Sequence, residues 1–462
     1  MKKTKYSLTT AVAIVVAAMI GTGVFTSLYF QIDSVPSGSG LLLLWLAGGV
    51  VALCGGLCYA ELVGYFPRSG GEYQYLTRIY HPALGFSAGV CTLVVGFAAP
   101  MAGIALNLGN YLCPILNVPP DSVVSRTVAV GSVVFITVVH YISPDAGSRF
   151  QNISTFFKLL LIVVFVALPW VVTDVKPSGV SFEVNAQTFD LVASGSFFSC
   201  LALLYYTYTG WNTSIYMASD IENPERNLPF SILFGVALVT LVYLLLNFVF
   251  LYVCSFDELK AGGTSVGNTF ITKLFGNATW AGVRVLDVFS ALLSFALLAT
   301  LNAYTIASYR VAEVFGSDYP ALGFLAKKNG GQVPHLAILG TGSITLLFVV
   351  VSDIKSLLDY IGFALSAFGS LAVFGLMLTR WRNPRANRPF KTWGYPLTPL
   401  IFLGINAAMV YFSVKTLYGG HFFYSTNTAG DIELSPLSAS FLTIFLGMVL
   451  YYILPQQQKR VR

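Results

Sequence analysis

The sequence predicts an all-α integral membrane protein of about twelve transmembrane helices, and three observations carry that prediction. Of its 462 residues, 56% are hydrophobic and only 10% charged, with a mean hydropathy of +0.73. Soluble domains carry nearer about a quarter charged residues. Apolar runs of bilayer-crossing length recur along the whole chain. Between them, segments rich in Lys and Arg alternate with segments that hold few.

Hydropathy and turn signals place the spans near 8–30, 40–63, 84–112, 123–142, 153–173, 194–218, 228–254, 280–312, 335–351, 357–379, 397–418 and 437–455. The first follows Lys2, Lys3 and Lys5 and passes Ala17-Ala18, as a secretory signal would. It is longer than a signal core and other apolar runs follow it, so it reads as an uncleaved span. With a cytoplasmic amino terminus, the inner segments hold 18 of the 26 Lys and Arg and the outer segments hold seven. That bias predicts a cell-membrane protein with both termini cytoplasmic. Lys158, the remaining cation, falls inside span 5.

The connecting segments are short. Residues 64–83 form an inner loop punctuated by Gly and Pro, 255–279 a polar outer loop, and 380–396 a basic inner linker suited to anionic lipid. The net charge of +6 therefore points to lipid and not to nucleic acid. No Gly-rich phosphate loop ending in Lys-Ser/Thr occurs, which argues against ATP-driven transport. The six cysteines lie in or beside apolar runs and read as small buried residues, with no disulfide framework and no metal site. No cofactor is implied.

Two spans contain breaks. Gly21-Thr22-Gly23 interrupts the middle of span 1, and Tyr205-Tyr206-Thr207-Tyr208-Thr209-Gly210 interrupts span 6. Loose backbone at membrane depth is tolerated only where it lines a cavity or is buried in protein. The breaks are five spans apart, so each opens a unit of five helices. Because five is odd, the second unit (194–379) inverts the first (8–173), leaving 397–455 as two additional helices, all within one transporter domain. Broken helices at matching positions of inverted units mark a midplane binding site. The half-helix starting after Gly23 offers free N–H groups to a carboxylate, and those ending near Ile20 and Tyr206 offer carbonyls to an ammonium. Together they suit an α-amino acid. For the glycine triplet alone, close helix packing is the simpler account.

Lys158 costs about 2.5–3.5 kcal/mol to insert at the centre of a helix, so it must face the bundle interior or a cavity. It is a candidate coupling group: a fixed positive charge where a sodium-coupled protein would hold sodium, or an amine that carries a proton. Among weaker signals, Arg284 and Asp287 are three apart and should pair. Glu61, His140 and Asp359 fall near span ends, where headgroups or neighbouring loops are the default contacts. Thr300 and Asn302 are better placed to face the core.

Four stretches resemble the amino acid–polyamine–organocation superfamily, and within it the L-amino-acid transporter family. They are Gly21-Thr22-Gly23-Val24-Phe25; Tyr59-Ala60-Glu61-Leu62 with Pro67-Arg68-Ser69-Gly70-Gly71-Glu72-Tyr73; Tyr208-Thr209-Gly210-Trp211-Asn212 with Glu222-Asn223-Pro224-Glu225-Arg226-Asn227-Leu228-Pro229; and Arg388-Pro389-Phe390-Lys391-Thr392-Trp393-Gly394-Tyr395-Pro396. The resemblance implies a leucine-transporter-like fold with a 5+5 inverted repeat, and sodium-independent amino acid transport by alternating access. It assigns the substrate carboxylate to Thr22 and the N–H groups of Gly23 and Val24. The amino group goes to carbonyls of Met19, Ile20, Tyr206, Thr207 and Thr209. Tyr206 takes the place of an aromatic residue that closes over the substrate. Lys158 matches the family's span 5 lysine, with Thr300 positioned to meet it. Asn117-Val118-Pro119 replaces the cysteine-containing segment by which eukaryotic light chains join a heavy chain, so no disulfide-linked heavy chain is expected, and a monomer suffices. Thr209 stands where relatives often have Gly.

The expected activity is exchange of neutral L-amino acids, because no acidic residue lies in either break to pair a cationic side chain. Proton-coupled symport through Lys158 is the alternative. A membrane-embedded enzyme is disfavoured, since the four histidines are scattered and none pairs with a nucleophile.

Overall fold

The computed structural model describes residues 6–21, 23–66, 71–142, 144–172, 175–216, 221–329, 333–417, 423–426 and 432–454. For residues 144–155, 216, 416–417, 425–426 and 432–433, only the backbone is described. These residues are almost entirely helical.

Helix α1 (Leu8–Met19) starts where the Ser7 hydroxyl accepts the Thr10 N–H, and it stops at Ile20, whose backbone is extended. Helix α2 (Gly23–Gln31) resumes at an angle of 44° to it. Next come α3 (Gly38–Tyr65) and a short α4 (Glu72–Ile79), then α5 (Pro82–Leu93), which runs through one wide turn into α6 (Ala99–Leu116). Two long helices follow, α7 (Val123–Ile142) and α8 (Pro144–Val171).

Helix α9 (Ala186–Val192) meets α10 (Gly195–Thr207) at 60°, and after a turn the chain forms α11 (Thr213–Tyr216). Then come α12 (Pro224–Val253), α13 (Phe256–Ala261), α14 (Val266–Phe275), α15 (Val285–Asp318), α16 (His335–Val351), α17 (Ile354–Arg382), α18 (Leu397–Leu417) and α19 (Pro436–Ile453). Among the described residues, eight helices are long and apolar enough to cross a membrane, or ten if each bent pair is one span. The two shorter apolar stretches, Phe156–Val171 and His335–Val351, stand where spans 5 and 9 were expected.

Close packing through small residues holds the bundle together, as expected where lipid supplies no hydrophobic drive between helices. Gly49 and Gly56 of α3 press against Thr240 and Ile232 of α12 so closely that a Cβ on either would fall within 2.4 Å of a side-chain atom. All six cysteines are buried and unbonded, and Arg284 pairs with Asp287 at 2.8 Å.

The structure corrects two expectations. Glu61, His140 and Asp359 are each at most 1% exposed; Glu61 makes the expected contact with a neighbouring loop, whereas His140 and Asp359 meet helix residues instead. Glu61 accepts from Arg380 at 2.8 and 2.5 Å and from the Thr392 N–H at 2.7 Å, tying α3 to α17 and the following linker. His140 meets Asn302 at 2.8 Å, and Asp359 pairs with Lys355. The described residues of segments 64–83 and 255–279 also form helices where loops were expected. The first contains α4; the second contains α13, which opens on a reciprocal Ser255–Glu258 capping box, and α14.

Candidate substrate site

The break in span 1 leaves carbonyls at the end of α1 without intrahelical partners. Lys158 of α8 occupies that end: its Nζ donates to the Ile20 carbonyl at 2.5 Å and to the Ala17 carbonyl at 3.1 Å. The side chain is buried, 5% exposed. A cation at a helix carboxyl end is favoured by the aligned peptide dipoles, more so away from water.

The carbonyls of α10 lie across from it. Tyr243 of α12, wholly buried, places its hydroxyl 2.7 Å from the Met19 carbonyl and 3.1 Å from the Thr207 carbonyl. One phenolic proton thus serves the ends of both broken helices. The Tyr206 carbonyl accepts the Thr209 hydroxyl at 2.6 Å and the Thr209 N–H at 3.0 Å. Four of the five carbonyls assigned to a substrate amino group therefore already accept from the protein. A carbonyl has two lone pairs, so a substrate ammonium could share these acceptors or displace their donors.

The two breaks are pressed together by glycine. Gly210 has φ +104°, and a Cβ on it would lie 2.8 Å from the Ala18 carbonyl carbon and oxygen. Gly23, at the start of α2, lies against Thr207, where a Cβ would fall 2.5 Å from Oγ1. Thr207 Oγ1 is also 2.8 Å from Ser27 Oγ. The amino end of α2, carrying the N–H groups of Gly23 and buried Val24, is thereby held beside the carboxyl end of α10. Gly21 is different, since a Cβ there would meet Thr300 Cγ2 at 3.8 Å and little else. Thr300 turns its hydroxyl to the Ala296 carbonyl of its own helix at 3.0 Å and its methyl toward Gly21. Thr22 lies outside the described residues.

The geometry therefore brings together Met19, Ile20, Gly21, Gly23, Val24, Thr207, Lys158 and Thr300, with Tyr206 and Thr209 on the adjoining turn. Tyr243 was missed by sequence. Its only signal is a tyrosine four residues before Asn247 in the middle of an otherwise apolar span. Tyr243→Phe removes the shared donor, so substrate affinity or uptake should change by about 5- to 30-fold, the size of one buried hydrogen bond. The mutant's apparent KM for uptake measures this directly.

On one side the site is roofed by aromatic rings. Phe25 and Phe165 meet at 5.7 Å, and Phe165 stacks with Phe270 of α14 at 5.6 Å. Helix α14 is pinned by Tyr111, whose hydroxyl accepts the Gly267 N–H at 3.2 Å and donates to the Phe25 carbonyl at 3.0 Å.

The chain is 30% identical over 393 residues to the human (Homo sapiens) b(0,+)-type amino acid transporter 1, covering 83% of this chain and 77% of the relative. It is 29% identical over 422 residues to the mouse (Mus musculus) Asc-type amino acid transporter 1, covering 89% and 76%. It is 30% identical over 426 residues to the mouse large neutral amino acids transporter small subunit 2, again covering 89% and 76%. The family profile described as amino acid permease matches residues 6–429. A membrane chain matched over that length belongs to the amino acid permease family and is a transporter, not an enzyme.

Proposed function

We propose that this protein exchanges neutral L-amino acids across the cell membrane by alternating access and without sodium. One observation carries the proposal: the amino end of α2 and the carboxyl ends of α1 and α10 converge within one buried seam closed by Gly23 and Gly210. Free N–H groups on one side and carbonyls on the other match a zwitterion. Thr22 with the Gly23 and Val24 N–H groups receives the carboxylate; carbonyls of Met19, Ile20, Tyr206, Thr207 and Thr209 receive the ammonium. Lys158 supports sodium independence, because a cation already sits on the carbonyls of the broken helix.

Neutral side chains are favoured by the absence of an acidic residue within either break. The relatives' names include a large neutral amino acids transporter. Units 8–173 and 194–379 move against each other in this scheme, with both termini cytoplasmic and α14 on the outer face. Purified protein in liposomes preloaded with unlabelled amino acid should take up labelled alanine, serine or leucine, with sodium or choline outside. Failure to take up any amino acid, preloaded or not, would overturn the proposal.

Proton symport through Lys158 is the second candidate. It is favoured by one observation: the described partners of the ammonium are neutral carbonyls, and no described acid neutralises it.

A further inference from the structure

Helix α4 carries an acidic side chain that the transport scheme does not use. Glu72 stands at its first position yet is only 8% exposed. Among the described residues, its carboxyl accepts one hydrogen bond, from the Tyr59 hydroxyl of α3 at 2.7 Å. The titratable groups that feel its charge are Tyr59 of α3, Tyr75 of α4, Cys91 of α5 and Tyr205 of α10, all uncharged near neutrality. Of the described cations on α4 and on the end of α17, Arg380 is on Glu61, Arg382 on the Ile79 carbonyl, and Arg78 over the Phe66 ring. Asp318 of α15 takes the hydroxyl of Tyr73 and the amide of Gln74, the residues beside Glu72. Among the described residues, then, Glu72 faces no positive charge. A buried carboxyl so placed is unstable as an anion, and burial pushes its pKa up to about 7 against the single Tyr59 hydrogen bond.

The position links this carboxyl to the substrate site. The Tyr59 ring packs edge-on against Trp211 at 4.8 Å, and Trp211 follows Gly210 in the turn that breaks span 6. Helix α4 also wedges against α5 and α17. A change at Glu72 therefore acts on one hydroxyl, one indole and then the break.

We propose that Glu72 is a proton-binding site, separate from Lys158, whose ionisation controls the transport cycle from the face that carries α4. Protonated, the carboxyl stays packed under α3 and α10 and holds that face shut. Ionised, it draws water toward α4 and loosens the Tyr59–Trp211 contact, favouring opening.

Infrared difference spectra of the purified protein test proton binding without any substrate. A protonated-carboxyl band should titrate with its midpoint near neutrality in the wild type and be missing from Glu72→Gln. Exchange in liposomes, with pH equal on both sides, tests the control. The wild-type rate should fall on acidification through the same midpoint, while Glu72→Gln stays at the acid-limb rate throughout. Tyr59→Phe, which removes the one donor to the anion among the described residues, should shift the midpoint upward by about half to one pH unit. No carboxyl band titrating between roughly pH 6 and 8, or one retained in full in Glu72→Gln, overturns the proton site. An uptake profile in Glu72→Gln that matches wild type overturns its control of transport. Absence of uptake by the wild type counts against amino acid exchange alone, and the infrared result still decides the proton site.

Discussion

Gly210→Ala is expected to abolish uptake and to lower the melting temperature of the purified protein. Two costs combine. A left-handed backbone conformation costs a residue with a Cβ about 1–2 kcal/mol. The new methyl would also lie 2.8 Å from the carbonyl carbon and oxygen of Ala18, and this neighbour is the last turn of α1, not the tip of a flexible side chain. Overpacking of that kind costs about 1–3 kcal/mol when the surroundings must shift. What shifts is α1, whose final carbonyls form the amino-group side of the proposed site. The loss thus falls on binding geometry as well as on stability. Gly21→Ala is the control. Its Cβ meets Thr300 Cγ2 at 3.8 Å, an ordinary contact, so the melting temperature should stay within a few degrees of wild type. Equal destabilisation by both substitutions would mean that the breaks are not pressed together at Gly210.

The contrast between these two glycines shows how far the sequence could be read. Both appear in it as helix-weakening residues in an apolar run. The reading of them as paired breaks five spans apart rests on hydropathy and counting, because bilayer length limits where spans begin and end. The placement of Lys158 within a span was readable for the same reason, since Phe156 and Phe157 precede it and a long apolar run follows it. Its partner was not readable: contact between Lys158 and Ile20 joins residues 138 apart, and no periodicity in span 5 says which helix it faces. Tyr243 shows the same limit, because a tyrosine in an apolar span looks alike whether it faces lipid or the bundle. Glu72 stayed hidden for another reason. A Gly/Pro-rich segment with charges reads as a solvated loop, and only the packing of α4 against α5 and α17, with Tyr59 reaching over from α3, buries its first carboxyl. Local chemistry shows in a sequence; the facing of helices with weak amphipathicity does not.

Lys158→Ala is expected to reduce exchange by about 10- to 100-fold, and the sign follows from what the ammonium holds. Its charge-assisted hydrogen bonds to Ile20 and Ala17 join α8 to the end of α1, and such a bond contributes about 1.5–3 kcal/mol. Removing it leaves two carbonyls bare at the end of a broken helix and an empty space on α8 where the side chain was buried. Lys158→Met separates those effects, since it fills much of the space without the charge. If the charge positions α1, Met should fail nearly as badly as Ala. If packing alone matters, Met should restore most of the rate. The same pair of variants decides between exchange and symport. Under symport, wild-type uptake follows an imposed pH gradient and both variants lose that dependence. Under exchange, uptake follows internal amino acid and ignores the gradient, and the variants are slower but no less dependent on preloading. A gradient dependence that survived in both variants would remove Lys158 from the coupling step and leave it as a structural cation on the broken helix.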